Sequence, residues 1–160
     1  MATPPRIIAG LISDTHGLLR PEVHTALEGV DLIIHAGDVG GPEILDELRL
    51  IAPVHAVYGN TDPVDDPNLP AELTIPLGGL EIHVSHGHEL GSPTPRKLVA
   101  AYHHHVIVYG HTHQQMIERI GNQLVINPGA AGQRRFKLAP SVARLTIANG
   151  KAEAVIVALT

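Results

Sequence analysis

The thirty residues from Asp31 to Asn60, DLIIHAGDVGGPEILDELRLIAPVHAVYGN, change hydrophobic period twice. LIIHAG is a short β-branched run closed by glycine, the pattern of a strand buried on both faces. GPEILDELRLIA then places a proline where a helix begins. Its apolar residues Ile44, Leu45, Leu48 and Ile51 recur at three- and four-residue intervals, one face of a helix. VHAVYG (Val54–Gly59) returns to the strand pattern. Upstream, RIIAGLIS (Arg6–Ser13) and PEVHTALEGV (Pro21–Val30) supply the same alternation. Strand, helix, strand, helix, strand predicts parallel βαβ units with right-handed crossovers, and therefore an α/β protein.

The second half changes character. ELTIPLGGLEIHVSH (Glu72–His86) reads as a hairpin about Gly78 and Gly79, PRKLVAAYHH (Pro95–His104) as a helix, and VIVYG (Val106–Gly110) as another buried strand. QMIERIGNQLVINPG (Gln115–Gly129) and SVARLTIANGKAEAVIVALT (Ser141–Thr160) read as two more hairpins, turning at Gly121-Asn122 and Asn149-Gly150. These hairpins predict a second, largely antiparallel sheet. Two sheets face to face with helices outside would bury every apolar run in one domain, residues 1–160, since no linker or repeat divides the chain. TDPVDDPNLPAE (Thr61–Glu72) is expected to be an irregular surface loop.

Composition narrows the chemistry. At 160 residues, 44% hydrophobic and 17% charged, the chain has enough apolar surface for a real core and too little charge for disorder. It has no cysteine, so disulfides, iron–sulfur clusters and cysteine zinc sites are excluded, and any metal must be held by nitrogen and oxygen. That composition fits a reducing cytoplasm. The start, MATPPRIIAGLIS, carries an apolar run too short to cross a bilayer, and no export signal is read from it. A net charge of −5 argues against bulk binding to nucleic acid or to an anionic membrane. The twelve histidines are the anomaly, because each buried ring nitrogen needs a partner.

Ligands of α/β folds gather beyond the carboxyl ends of the strands, and the polar residues of this chain fall there. SDTHG supplies Asp14 and His16, GDVGG supplies Asp38, and GNTD supplies Asn60 with Asp62 two residues on. SHGHE supplies His86 and His88, and GHTH supplies His111 and His113. Glycine precedes Asp38, Asn60 and His111 and follows His86, allowing the tight reversals that aim side chains over a sheet edge. A closed zinc site takes about four ligands, too few for Asp14, His16, Asp38, Asn60, His86, His111 and His113 together. Two divalent ions about 3.5–4 Å apart use them all if one carboxylate bridges, and Asp38 is the expected bridge. A hydroxide held between such ions is nucleophilic at neutral pH, and the ions neutralise phosphoryl oxygens, so hydrolysis of a phosphate ester is the expected chemistry. Mixed imidazole and carboxylate donors suit Mn²⁺, the first choice, and equally Fe²⁺, Ni²⁺, Co²⁺ or Zn²⁺.

The ordered set Asp14-x-His16, Gly37-Asp38, Gly59-Asn60, His86 and Gly110-His111-x-His113 resembles the calcineurin-like metallophosphoesterases, and within them the small bacterial and archaeal phosphodiesterases. The resemblance spans Asp14 to the NPGA at Asn127–Ala130, which matches that branch's Asn-Pro-Gly-Ser with alanine in the last place. It implies a four-layer α/β/β/α sandwich of two mixed sheets. It also implies one metal on Asp14, His16, Asp38 and His113 and another on Asp38, Asn60, His86 and His111, a small phosphodiester as substrate, and a homo-oligomer. Larger phosphatases of the superfamily carry a histidine after the asparagine, thought to protonate the leaving group, where this chain has Thr61. General acid catalysis contributes roughly 10²–10⁴-fold, so weak turnover on poor leaving groups is expected. His88 and Asp62 are the candidate catalytic substitutes. Against that, His88 also fits a loop role, and Asp62 a turn residue kept ionised beside the metals.

The remaining features read as structural. Arg134, Arg135 and Lys137 in QRRFK are either a solvated basic surface or contacts to substrate phosphate or to a partner subunit. Tyr102-His103-His104-His105 falls where a helix ends, and His24, His35, His55 and His83 fall inside predicted elements; none is assigned a ligand role. His35 stands nearest the site, three residues before Asp38. Two other functions remain open: a phosphomonoesterase or nucleotidase, which Thr61 disfavours, and a non-catalytic metal-binding scaffold of the same fold, as in the retromer subunit that lacks a ligand histidine.

Overall fold

The computed structural model describes residues 6–134 and 137–159. The first half forms β1 (Ile7–Ile12), α1 (Glu22–Ala26), β2 (Leu32–His35), α2 (Pro42–Leu48) and β3 (Val54–Ala56). The second half forms β4 (Glu72–Leu77), β5 (Leu80–Ser85), α3 (Pro95–Ala101), β6 (Val106–Val108), β7 (Met116–Ile120), β8 (Gln123–Asn127), β9 (Ser141–Ala148) and β10 (Lys151–Ala158). Two five-stranded sheets result, ordered β10-β9-β1-β2-β3 and β4-β5-β6-β8-β7.

Period-two alternation assigns the faces of each strand. Leu11, Ile34, Val84, Val108, Ile126 and Leu145 point between the sheets into one core. On the outer side of the first sheet, Ile12, Ile33 and Val142 meet Val23 and Leu27 near α1 and Ile44, Leu45 and Leu48 of α2. Outside the second sheet, Ile107 and Val125 pack on Leu98 of α3. The layers are helix, sheet, sheet, helix. Helices of five to seven residues are too short to persist alone, so these buried faces hold them in place. Proline opens α2 and α3, and Thr94 caps α3 by accepting from Lys97 N at 3.2 Å.

The expected antiparallel second sheet is corrected by the pairing. The carboxyl-terminal hairpin β9–β10 joins the first sheet instead, with β9 antiparallel to β1. Ala143, Leu145 and Ile147 stand opposite Leu11, Ala9 and Ile7, so the hairpin covers the open edge of β1 with matching apolar faces. In the second sheet β5, β6 and β8 run parallel, with antiparallel strands only at its two edges. Both sheets are mixed, each with three central or leading parallel strands whose carboxyl ends open on one side.

Two further departures are local. The helix after Thr94 stops at Ala101, because Tyr102 is extended (φ −127°, ψ 132°), so the histidines that follow lie beyond the helix. His104 instead pairs with Thr74 Oγ1 at 2.9 Å, and His105 Nδ1 accepts from Glu81 N at 2.9 Å. The irregular loop after β3 is not wholly at the surface, since Asp62 and Leu69 are buried within it.

Candidate metal centre

The loops after the parallel strands interlock through their backbones. Asp14 N donates to Gly37 O at 3.0 Å and His16 N to Asp38 O at 2.9 Å, joining the ends of β1 and β2. Gly110 N donates to His86 O at 3.0 Å, joining the ends of β5 and β6. The two sheets meet where His111 N donates to Asp14 Oδ2 at 3.1 Å and the His86 ring donates from Nδ1 to Ala36 O at 2.8 Å. There is no room for side chains at the glycines that begin these turns. A Cβ on Gly59 would lie 2.1 Å from Asp38 Oδ1, and one on Gly110 would lie 2.0 Å from Ser13 Oγ. These glycines permit close approach rather than flexibility.

Strain is concentrated at the same place. Among the described residues six non-glycines hold positive φ, and five of them are Asp14 (54°), His16 (47°), Asp38 (55°), His111 (72°) and His113 (64°). The left-handed region costs an L-residue roughly 1–2 kcal/mol, so the fold holds five polar side chains in conformations that they do not favour.

Their ligand atoms converge. Asp14 Oδ1 lies 3.3 Å from His113 Nε2, 3.6 Å from His16 Nε2 and 3.7 Å from His86 Nε2. Asp38 Oδ2 lies 3.2 Å from His86 Nε2 and 3.5 Å from His16 Nε2. Asp14 Oδ1, His16 Nε2 and His86 Nε2 are buried without a hydrogen-bond partner among the described residues. Orphaned buried polar atoms cost about 1–3 kcal/mol each unless something else satisfies them. Donors bonded to one cation at about 2.0–2.2 Å stand about 3–3.5 Å from one another, close to the spacing seen. Among the described residues two groups fit a metal ion, Asp14 with His16 and His113, and Asp14 with Asp38 and His86. The residue common to both is Asp14, whereas the expected bridge was Asp38; Asp38 Oδ2 nonetheless sits between His16 and His86. Asn60 completes the rim, its Oδ1 lying 3.1 Å from His111 Nδ1. Thus all seven expected ligand residues reach one rim, open to solvent through exposed Asn60 and half-buried His16, His111 and His113.

Secondary contacts orient these groups. Ser13 Oγ donates to Asp14 Oδ2 at 2.7 Å, and Thr61 N donates to Asp38 Oδ1 at 2.9 Å. Donation from His86 Nδ1 turns its Nε2 towards the carboxylates, the orientation metal-binding histidines use. Burial alone would raise the Asp14 carboxyl, but the His113 and His16 rings and the charge of His86 hold it below the usual carboxylate range. Burial likewise opposes ionisation of Asp38, yet His86 and the Thr61 amide bring it down to about 2. Burial pushes the His86 imidazole down, and Asp38 and Asp14 more than reverse that. Both carboxylates are thus held towards the ionised form that metal binding requires.

The two candidate catalytic residues differ. Asp62 is buried and accepts from Val39 N at 3.0 Å, Gly40 N at 3.1 Å and Gly59 N at 2.9 Å, clamping the loops after β2 and β3. Its carboxylate is used up by backbone amides. His88 opens a 3-10 turn (His88–Leu90) with its ring centred 5.4 Å from His86 and 6.3 Å from His111, and its Nδ1 is buried without a partner among the described residues. Arg134 and Lys137 are exposed, and Arg135 lies outside the described residues.

Sequence reasoning passed over the groups that support the candidate ligands. His35 is fully buried, with Nε2 3.0 Å from Thr15 Oγ1 and Nδ1 accepting from Gly37 N at 3.1 Å. Thr15 Oγ1 donates to Val39 O at 2.7 Å, so it accepts from His35, and the ring is the neutral Nε2–H tautomer. Asn127 is fully buried under the loop that carries His111 and His113. The NPGA match was the one sequence signal for it.

Comparison with known proteins agrees with this geometry. The sequence profile of the calcineurin-like phosphoesterase superfamily domain matches residues 8–150. A probable metallophosphoesterase of Methanothermobacter thermautotrophicus is 34% identical over 94% of this chain and 92% of its own length. Phosphodiesterase YfcE of Escherichia coli K12 is 33% identical over 74% of this chain and 76% of its own. Among solved structures, wild-type Vps29 of Entamoeba histolytica complexed with zinc superposes with a TM-score of 0.75 at 25% identity, covering 96% of this chain and 100% of that one.

Proposed function

Because the chain belongs to the calcineurin-like phosphoesterase superfamily, we propose that it is a metal-dependent phosphodiesterase that hydrolyses small phosphate diesters at a binuclear centre. The observation that carries the reading is the convergence of buried, unpartnered Asp14 Oδ1, His16 Nε2 and His86 Nε2 on one rim. Asp14, His16, Asp38 and His113 would hold one divalent ion, and Asp38, Asn60, His86 and His111 the other, with Mn²⁺ the first to test. Bound there, the ions would supply a nucleophile at neutral pH and neutralise the phosphoryl oxygens. The chain's own residues do the rest. Asp14 and Asp38 stay ionised and set the negative charge of the cage. Ser13, Thr61 and the Ala36 carbonyl fix the orientation of Asp14, Asp38 and His86. Asp62 orients rather than donates, since three amides occupy it. His88 is the proton donor to the leaving oxygen, on the strength of its free Nδ1 beside His86 and His111.

Metal content of Asp38→Asn and Asp14→Asn tests the centre directly. Loss of both ions from Asp38→Asn, with loss of mainly one from Asp14→Asn, supports an Asp38 bridge; the reverse result moves the bridge to Asp14. Assays of bis-aryl and mono-aryl phosphates with Mn²⁺ test the substrate class, where faster monoester turnover favours a phosphomonoesterase. Full metal loading with no turnover of either ester favours a scaffold. For His88, replacement by alanine should slow alkyl leaving groups about 10²-fold and activated aryl ones far less.

A further inference from the structure

We propose that Asn127 is a positioning residue for both metal positions at once, a role that rests on the binuclear reading above. The loop after β6 carries His111 and His113 and is strained. Thr112 N donates to Gly110 O at 2.8 Å across His111, closing a three-residue γ-turn whose central φ is 72°, and His113 follows at 64°. One side of this loop is held by groups of the site itself, since Gly110 N bonds to His86 O and His111 N to Asp14 Oδ2. Among the described residues, the other side is held by one side chain from outside the loop. From the end of β8, Asn127 Nδ2 donates to Gly110 O at 3.2 Å and to Thr112 Oγ1 at 3.0 Å. Its Oδ1 accepts from Gly129 N at 2.9 Å, which fixes the carboxamide. Two of the three loop residues that bracket the histidines are thus pinned by one buried amide group.

The chemistry at this position selects asparagine. Aspartate has no hydrogen to give Gly110 O and would set a negative charge against that carbonyl. Glutamine would carry the amide a methylene too far. A ring nitrogen displaced by a few tenths of an ångström leaves a tight coordination sphere, and partners that orient ligands are worth about 10–100-fold in metal affinity. His111 and His113 serve different ions in the proposed centre, so one amide governs both.

The test is calorimetric titration of Mn²⁺ into metal-stripped wild type, Asn127→Asp, Asn127→Ala and His113→Ala, with urea unfolding of each stripped protein. Leu98→Ala, in the core beneath α3, serves as a destabilised control. The expected result is a loss of at least about tenfold in affinity at both positions for the Asn127 variants. His113→Ala should lose mainly one position, and Leu98→Ala neither, despite its lower stability. Wild-type affinity and stoichiometry in Asn127→Asp would overturn the inference while leaving the binuclear reading intact. Absence of Mn²⁺ binding by the wild type would overturn both. If the Asn127 variants do not fold, Thr112→Val removes one of the two acceptors; a several-fold weakening at both positions supports the role, and unchanged binding sinks it.

Discussion

At the scale of the residue, backbone strain at the candidate ligands makes a prediction that metal chemistry alone does not. His113 at φ 64° has no intrinsic preference for its conformation, and glycine does. In the metal-stripped protein, His113→Gly should therefore be more stable than His113→Ala by about 1 kcal/mol, read from urea midpoints, though both lose the ligand. Equal stability would mean that the loop relaxes when the ring is removed. His35 makes a second prediction. Burial pushes its imidazole down to about 4, and Asp14, Asp62 and Asp38 only partly offset that against an opposing His86. Between that value and the ordinary 6.5 the unfolded chain holds a proton that the folded one refuses, so stability rises with pH across the window. The loss occurs as pH falls from 6.5 towards 4, and its scale is about 3 kcal/mol. His35→Gln should flatten the dependence in chelated protein. An unchanged pH profile of unfolding would show that His35 is not the group responsible.

At the scale of the element, the strands deliver the site and their glycines let it close. The backbone of Gly59, after β3, presses against Asp38, after β2, so that a methyl group there would lie 2.3 Å from Asp38 N. Gly59→Ala must push the two loops apart. The expected cost is about 1–3 kcal/mol of stability together with weakened metal binding, visible as a lower unfolding midpoint and lower Mn²⁺ occupancy. Thr94→Ala, which removes the cap of α3, should cost about 1 kcal/mol and leave Mn²⁺ occupancy unchanged. The contrast would separate elements that carry the site from one that only packs behind it. Each element was visible in the sequence because its signal is local: β-branched runs for β1, β2 and β6, Pro42 and Pro95 at helix starts, and Asn149-Gly150 at a hairpin turn. The pairing of β9 with β1 was not, because any strand with the same alternation could take that place.

At the scale of the molecule, the two sheets are separate hydrogen-bonded units that meet through their core and through the loops of the rim. A ligand that binds only the folded rim stabilises the whole fold by mass action, about 2.7 kcal/mol at a hundredfold excess over its dissociation constant. Stripping the metal should then lower the melting temperature by roughly 5–10 °C for a chain of this size, and restoring Mn²⁺ should recover it. A melting temperature indifferent to chelator would argue that the cage is too weak to matter to folding. The sequence by itself determined the α/β alternation and picked out the seven candidate ligand residues, because strand period, turn residues and the placing of polar groups after strands are properties of short segments. Tertiary structure alone decided that the last hairpin completes the first sheet. It also decided that Asp62 is spent on three amides, that five residues of the candidate site are held in the left-handed region, and that His35 and Asn127 stand behind them. Those facts depend on which distant backbones come within hydrogen-bonding distance, and that follows from packing two sheets together rather than from any segment read alone.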